Sequence, residues 1–89
     1  MNDIQDVKNE LLAYSLGQLE ATEKEREIVG QRIKQVRKQC GLTMIEFGKA
    51  LNVTNVTVCR WENGQRMPNV FMILKIAKMG NMTVEEFLS

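Results

Sequence analysis

Few side chains of this 89-residue sequence belong to the types that perform catalysis. It contains no histidine, no glycine-rich phosphate loop, no clustered metal ligands, and no serine or cysteine with a base at a recognisable spacing. Cys40 and Cys59 have no histidine with which to share a metal and no further cysteines to build a disulfide framework, so we interpret both as reduced thiols. We therefore expect no enzyme, no metal and no cofactor, and the remaining chemistry is that of binding.

Charge is distributed unevenly along the chain, although its net value is only +1. Residues 1–27 contain three basic and seven acidic residues, whereas residues 28–89 contain nine basic and four acidic ones, so the two parts carry −4 and +5. A basic domain suits a polyanion such as nucleic acid, and an acidic leader suits a protein partner or solvent.

Composition indicates one small helical domain. Hydrophobic residues make up 44% of the chain, aromatic residues are few, and there is one proline, which disfavours a β-sandwich. No run approaches the roughly eighteen apolar residues of a membrane span, and no basic segment followed by an apolar one opens the chain. We expect a soluble, cytoplasmic protein without membrane contact.

The stretch from Met44 to Asn63 has the packing pattern of a helix-turn-helix, which can lay its second helix in the major groove of DNA. The two helices can approach closely only if the fifth position lacks a bulky side chain, and that residue is Gly48. The ninth position needs positive φ, which asparagine tolerates second best after glycine, and it is Asn52. The apolar residues that fix the crossing are Phe47, Leu51, Val53, Val58 and Trp61.

Capping residues predict where the helices begin. Three capping boxes, each a threonine followed three residues later by a glutamate, start at Thr22, Thr43 and Thr83 and predict helices from about residues 23, 44 and 84. Thr54 and Asn69 cap two further helices, which run to about residues 62 and 79. The first helix has one stripe predicted to face the core, formed by Val29, Ile33, Val36 and Cys40.

The motif resembles the Cro and phage-repressor family (xenobiotic response element type), and the resemblance extends from about Ile28 to Leu88. It also rests on GQRIKQVRKQCGLT before the motif and on RWENGQRMPN and LKIAK after it. The resemblance implies an all-α fold, a compact five-helix lambda-repressor-like domain over residues 22–89. The helical spacing of apolar residues in residues 1–21 predicts an additional N-terminal accessory helix before it. It further implies double-stranded DNA as the ligand, bound by a homodimer at an inverted repeat.

The resemblance also implies which side chains approach DNA. Asn55 could pair bidentately with adenine and Arg60 with guanine or a phosphate, each good base pairing contributing ~1–3 kcal/mol of discrimination. Val56 and Cys59 offer only apolar contact, for instance with a thymine methyl. The whole predicted set is Thr43, Thr54, Asn55, Val56, Thr57, Cys59, Arg60, Asn63, Gln65 and Arg66.

Arg37 and Glu62 match positions that form a buried or half-buried ion pair in the phage-repressor subgroup. Each could instead be a solvated surface charge. We favour pairing, because Glu62 stands beside Trp61 in an otherwise neutral or basic helix. Trp61 itself is predicted to lie in the core, since its spacing from Val58 places it on the inner face.

The leader before Thr22 is not part of the usual family pattern, and its apolar face is too wide for a helix packed on one neighbour. It could cover its own domain, dimerise with a second copy, or bind a different protein. Its two apolar stripes consist of Ile4, Val7, Leu11 and Tyr14, and of Leu12, Leu16 and Leu19.

The helix from Asn69 to Met79 is apolar on nearly all sides, and such a helix needs neighbours all round. Gly80 follows it where the family usually has a core leucine, so Met79 or Met82 must fill the gap. Family core positions are matched by Val70, Ile73, Leu74 and Ala77. The side chains predicted to form a dimer interface are Leu12, Leu16, Leu19, Phe71 and Met72.

These features predict a sequence-specific, DNA-binding transcriptional regulator, bacterial or phage-encoded, that acts as a small stand-alone repressor at an inverted-repeat operator. The alternative is an antitoxin-type or other protein-interaction module, whose acidic N-terminal helix binds a partner protein while the domain regulates its own operon or has lost DNA binding.

Overall fold

The computed structural model describes residues 21–89. Within that range the chain forms helices without strands, which confirms the all-α class and the five helices. The helices are α1 (Glu23–Gln39), α2 (Met44–Leu51), α3 (Asn55–Glu62), α4 (Val70–Met79) and α5 (Val84–Leu88). The accessory helix predicted for the leader, with Leu12, Leu16 and Leu19, lies outside the described residues.

The predicted capping residues precede all five helices. In the three capping boxes the threonine hydroxyl accepts the backbone N–H of the glutamate three residues later, at 3.1 Å each time, and the glutamate carboxylate accepts the threonine N–H in return. The N–H of Thr43 thereby lowers the pKa of Glu46. Thr54 and Asn69 cap α3 and α4 through single side-chain hydrogen bonds.

One hydrophobic core joins the helices, because α1 packs against α3, α4 and α5 while α2 packs against α3. Phe47, Val58 and Trp61 are buried as the helix-turn-helix pattern predicts, and Val53 is half-buried. The core consists of Val29, Ile33, Val36, Phe47, Leu51, Val58, Trp61, Val70, Ile73, Ile76, Ala77 and Phe87.

Two predictions about the core are wrong. Cys40 is exposed, because α1 ends at Gln39 and the chain turns away through Gly41, whose φ is 70°. Leu74 is 40% exposed, and Ile76 is fully buried instead. The inner face of α4 runs through residues 70, 73, 76 and 77, so position 74 points past the edge of that face.

Met82 occupies the space left by Gly80. A Cβ on Gly80 would lie 2.9 Å from Cγ2 of Val36 and 3.0 Å from Cε of Met82, so these two side chains already fill the place of a larger residue. Gly80 has an ordinary φ of −81°, and the left-handed conformation of the turn falls on Asn81, with φ of 56°. The chain then enters α5, whose Phe87 is fully buried.

The turn of the helix-turn-helix is as tight as its sequence predicts. Asn52 has φ of 60° and ends α2, and the N–H of Val53 returns to the carbonyl oxygen of Gly48 at 2.8 Å. A Cβ on Gly48 would lie 2.6 Å from the carbonyl oxygen of Val53, closer than real Cβ atoms come to other heavy atoms. The first residues of α3 therefore rest directly on the α2 backbone.

Replacing Gly48 by alanine should destabilise the domain. At an open helical position this change stabilises by about 1 kcal/mol. Here the methyl group meets backbone, so we expect the free energy of unfolding to fall by about 1–3 kcal/mol, measured by urea denaturation. The control is Ala50→Gly at an exposed position of the same helix, which should cost about 1 kcal/mol and so show that α2 otherwise favours alanine. An unchanged or increased stability of Gly48→Ala would contradict the close approach.

Candidate nucleic-acid interface

Helix α3 has a buried face and an exposed face. Val58 and Trp61 face the core, whereas Asn55, Val56 and Arg60 are exposed. Val56 is a hydrophobic residue with 52% of its surface open to solvent. The outer face of α3 thus presents an amide, a guanidinium and an apolar side chain to solvent.

Two threonines organise the N-terminus of α3. The hydroxyl of Thr54 accepts the backbone N–H of Thr57 at 3.2 Å, and the two hydroxyl oxygens lie 3.1 Å apart. Each hydroxyl has one O–H to donate, and one of the two is used between the threonines, so the other remains free to donate to a phosphate oxygen. Asn55 follows the cap directly and lies in the first turn of α3, where backbone N–H groups favour an anion.

Cys59 and Asn63 interact one turn apart near the other end of α3. The side-chain amide of Asn63 donates to Sγ of Cys59 at 3.3 Å. Cys59 is half-buried and Asn63 is exposed at the C-cap of the helix. This hydrogen bond uses one of the two N–H groups of the Asn63 amide, so the other N–H can still donate to a partner.

Three of the predicted contact residues line one groove. Thr57, Arg60 and Arg66 border a depression of about 360 Å³ between α3 and the start of α4. Both arginines are exposed. The apolar residues that line this groove are Val53, Trp61, Met67, Pro68 and Met72.

Met72 packs partly against its own core in this groove. Part of the Met72 side chain is therefore buried by residues of its own domain. Phe71, the residue predicted with it for the dimer interface, lies outside the groove and is 64% exposed.

The loop that carries Gln65 and Arg66 is anchored by Arg26. Its Nε donates to the carbonyl oxygen of Gly64 at 2.9 Å, and its Nη1 donates to that of Ala21 at 2.7 Å. The backbone N–H groups of Gln65 and Arg66 both return to the carbonyl oxygen of Arg60. Sequence reasoning missed Arg26, because its partners are backbone carbonyls, which no side-chain pattern marks.

Arg37 and Glu62 form a two-pronged ion pair at the end of α3. Nε of Arg37 lies 2.6 Å from Oε2 of Glu62, and Nη2 lies 3.0 Å from Oε1. The carboxylate side chain is 2% exposed and the guanidinium side chain 12%. The hydrogen bond to Glu62 raises the pKa of Arg37 above its ordinary value. The remaining guanidinium nitrogen, Nη1, donates to the carbonyl oxygen of Leu42, so one side chain links α1, α3 and the loop before α2.

The other predicted contact residues lie at scattered positions around α3. Thr43 is exposed at the N-cap of α2, where its hydroxyl already accepts the N–H of Glu46. Gln65 is exposed beside Arg66. The arrangement thus combines an exposed helix face, two arginines at its edge, and polar side chains near both ends of that helix.

A family model described as helix-turn-helix matches residues 33–87. The chain belongs to this family. It is of the Cro and phage-repressor type, as the resemblance predicted, and relatives of that type include a phage repressor and bacterial regulators. The curated relatives of this chain are named as transcription regulators.

Three curated relatives illustrate the range of the family. YazB of Bacillus subtilis, an uncharacterized HTH-type transcriptional regulator, is 36% identical over 70% of this chain and 90% of its own length. Repressor protein C2 of Salmonella phage P22 is 31% identical over 58% of this chain and 24% of its own. The HTH-type transcriptional activator BcrR of Enterococcus faecalis is 29% identical over 66% of this chain and 29% of its own. The chain thus spans less than half of the length of the latter two.

Residues 21–89 contain no helix long and apolar enough to cross a membrane. The same part of the chain has no group of three or more cysteine, aspartate or glutamate residues placed to hold a metal ion.

The ion pair between Arg37 and Glu62 should be strongly cooperative. Replacing either residue by alanine leaves the other charge in a poorly hydrated place, whereas the double replacement removes both. In a double-mutant cycle followed by urea denaturation, we expect a coupling energy of about 1–3 kcal/mol. The control is Glu46 with Lys49, an exposed pair three residues apart on α2, for which about 0.2–0.5 kcal/mol is expected. Additive effects at Arg37 and Glu62 would refute a desolvated pair.

Proposed function

We propose that the protein is a sequence-specific repressor that binds an inverted-repeat operator as a homodimer, with α3 in the major groove of each half-site. The exposed outer face of α3, with Asn55, Val56 and Arg60 beside the groove that Arg66 borders, is the observation that carries this proposal. The protein acts in the cytoplasm of a bacterium, where a chromosome or prophage supplies the operator.

Direct base reading falls to a small number of side chains. Asn55 can pair bidentately with adenine, and Arg60 with the O6 and N7 atoms of guanine. Val56 can contact only apolar groups, of which the thymine methyl is the one that the major groove offers. Cys59 adds a further apolar contact, although its half-buried position brings less of its surface to the DNA.

Phosphate contacts orient α3 along the groove. Arg66 and Gln65 stand on the loop that Arg26 anchors, and Thr43 and Thr54 stand at the starts of α2 and α3. Contacts from these positions fix the register of the protein on the duplex without reading sequence. At the Thr54–Thr57 pair, the hydroxyl that does not donate to its neighbour serves the same purpose. Asn63 does so through the second N–H of its side-chain amide, since only one N–H is donated to Cys59.

Repression is the simplest outcome of such binding, because a bound domain excludes RNA polymerase from the same DNA without any further contact. The name of the phage P22 relative supports this direction, while BcrR is named an activator. A reporter gene placed behind an operator selected from random duplexes measures whether the protein represses or activates transcription. Reduced expression on production of the protein supports repression, and increased expression contradicts it.

Arg60 and Arg66 should differ in what they contribute to DNA binding. The operator is first selected from random duplexes with the purified protein, and affinities are then measured on that operator and on random DNA at several salt concentrations. Arg60→Ala should weaken operator binding. It should also reduce the difference in binding free energy between the operator and random DNA by ~1–3 kcal/mol, because a bidentate base contact is lost. Arg66→Ala should weaken both duplexes alike and reduce the salt slope by about 1.

Lys24→Ala provides the charge-matched control. Lys24 is an exposed lysine at the start of α1, so its loss removes one positive charge without touching α3, the Arg66 loop or α4. If Arg60→Ala and Arg66→Ala both bind the operator as tightly as this control does, the assignment of the α3 face as the DNA-reading surface is wrong.

A further inference from the structure

A second surface of the domain lies between α4 and α5. A groove of about 410 Å³ runs there between Leu74 and Lys78 on one side and Met82, Val84 and Glu86 on the other. Phe71 stands one turn before Leu74 on α4 and is 64% exposed. Together, the groove and Phe71 form the α4/α5 surface.

This surface is apolar and carries more positive than negative charge. Lys75 and Lys78 follow Phe71 by four and seven residues, which places them on the same side of α4. Glu86 is the one carboxylate among the residues that line the groove. Both lysines are exposed, and within residues 21–89 neither has an ion pair. An exposed phenylalanine and leucine flanked by two such lysines form a patch of the kind at which partner molecules bind.

The charges argue against two copies of α4 facing each other. A two-fold contact between identical α4 faces would bring Lys75 and Lys78 against their own copies, and the like charges would repel. The occupant of the surface should instead be apolar and acidic.

Residues 1–20 have this combination. They contain four acidic residues against Lys8 alone, a net charge of −3, together with the two apolar stripes described above. The acidic residues are Asp3, Asp6, Glu10 and Glu20. We propose that residues 1–20 of one copy dock on the α4/α5 surface of a second copy, and that the exchange is reciprocal. The proposal rests on the homodimer of the proposed function and names the contact that forms it.

The point where the leader joins the domain favours exchange over docking within one copy. Arg26 ties the carbonyl oxygen of Ala21 to the Gly64 loop, at the N-terminal end of α1. The Met82 end of the groove lies beside Val36, which is about 21 Å further along α1 at a rise of 1.5 Å per residue.

A leader in its own groove would first have to return along α1. Apart from Ile28, the exposed side chains on that path are polar, and they would leave its leucines without apolar partners. They are Lys24, Gln31, Lys34, Gln35 and Lys38. Exchange avoids this path and forms the same favourable contact twice in each dimer.

Two full-length variants test the exchange by complementation. The leader variant carries Leu12→Asp and Leu16→Asp, and the groove variant carries Phe71→Asp and Leu74→Asp. In sedimentation equilibrium without DNA we expect the parent to dimerise and each variant alone to dimerise at least about tenfold more weakly, a loss of about 1.4 kcal/mol or more. An equimolar mixture of the two should recover dimers, because a mixed pair retains one intact leader and one intact groove that fit each other.

Two further variants control for composition and folding. Ile45→Asp introduces a carboxylate at a 56% exposed isoleucine on α2 and should dimerise like the parent. Lys75→Glu with Lys78→Glu leaves the apolar residues in place and should weaken the dimer about threefold or more by repelling the acidic leader. If circular dichroism shows that the groove variant is unfolded, this double lysine variant tests the role of the groove in its place.

Three outcomes overturn the exchange: a monomeric parent, variants that dimerise as well as the parent, and a mixture that stays monomeric although both variants are folded. The last result means that the leader covers its own domain. The proposed function is measured separately, on a duplex with a single half-site. A protein that dimerises by exchange but binds that duplex no better than random DNA contradicts DNA reading and leaves the exchange standing.

Discussion

Helix α3 is held by direct backbone contact at both of its ends, and the remaining structure depends on these two close approaches. At its start the chain from Val53 rests on Gly48 of α2, and at its end the carbonyl oxygens of Trp61 and Glu62 rest on Gly30 of α1. A Cβ on Gly30 would collide with the Trp61 carbonyl oxygen and lie 2.9 Å from that of Glu62. Without a side chain at either glycine, α3 is fixed by the main chain itself, which is stiffer than any contact between flexible side chains.

These two close backbone approaches explain the polar contacts around α3. Bringing α1 so close to the end of α3 excludes water from Glu62, and a buried carboxylate is costly unless it is paired and fully hydrogen-bonded. Arg37 meets that need with two hydrogen bonds to the carboxylate and a third to Leu42. Arg26 does the same for the loop that follows, since it satisfies the carbonyl oxygen of Gly64 where the chain takes a positive φ. Close packing thus buries hydrogen-bond acceptors, and two arginines of α1 donate to them.

Residues that act on neighbours a few positions away predicted this fold better than residues that contact distant parts of the chain. The capping residues and Asn52 act within a few positions of themselves, so the helix starts and the tight turn could be predicted from the chain alone. Gly30 and Arg26 act on residues more than thirty positions away, and no local pattern distinguishes them. Two errors came from extending a periodicity beyond its helix or its register: Cys40 continued the α1 stripe past the helix end, and Leu74 was assigned from the family pattern to a place that Ile76 fills. The residues proposed to read DNA followed from the same family pattern, and of these Asn55, Val56 and Arg60 are exposed on α3 while Cys59 is half-buried.

Because the α3 face has few side chains suited to reading bases, the proposed DNA specificity depends on dimerisation as well as on this helix. Only Asn55 and Arg60 can form the bidentate pairings that distinguish bases well, each worth ~1–3 kcal/mol, while Val56 and Cys59 distinguish thymine by contact alone. One domain with two such pairings discriminates too weakly to find a single site among the many competing ones in a genome. Two copies on an inverted repeat double the discriminating free energy and so square the ratio of specific to random binding. In the proposed homodimer, a rigid α3 would let both copies present the same few groups in the same geometry, and an interface away from α3 would leave that face free for DNA. The small number of base-reading groups proposed for this helix therefore favours a protein that binds DNA in pairs.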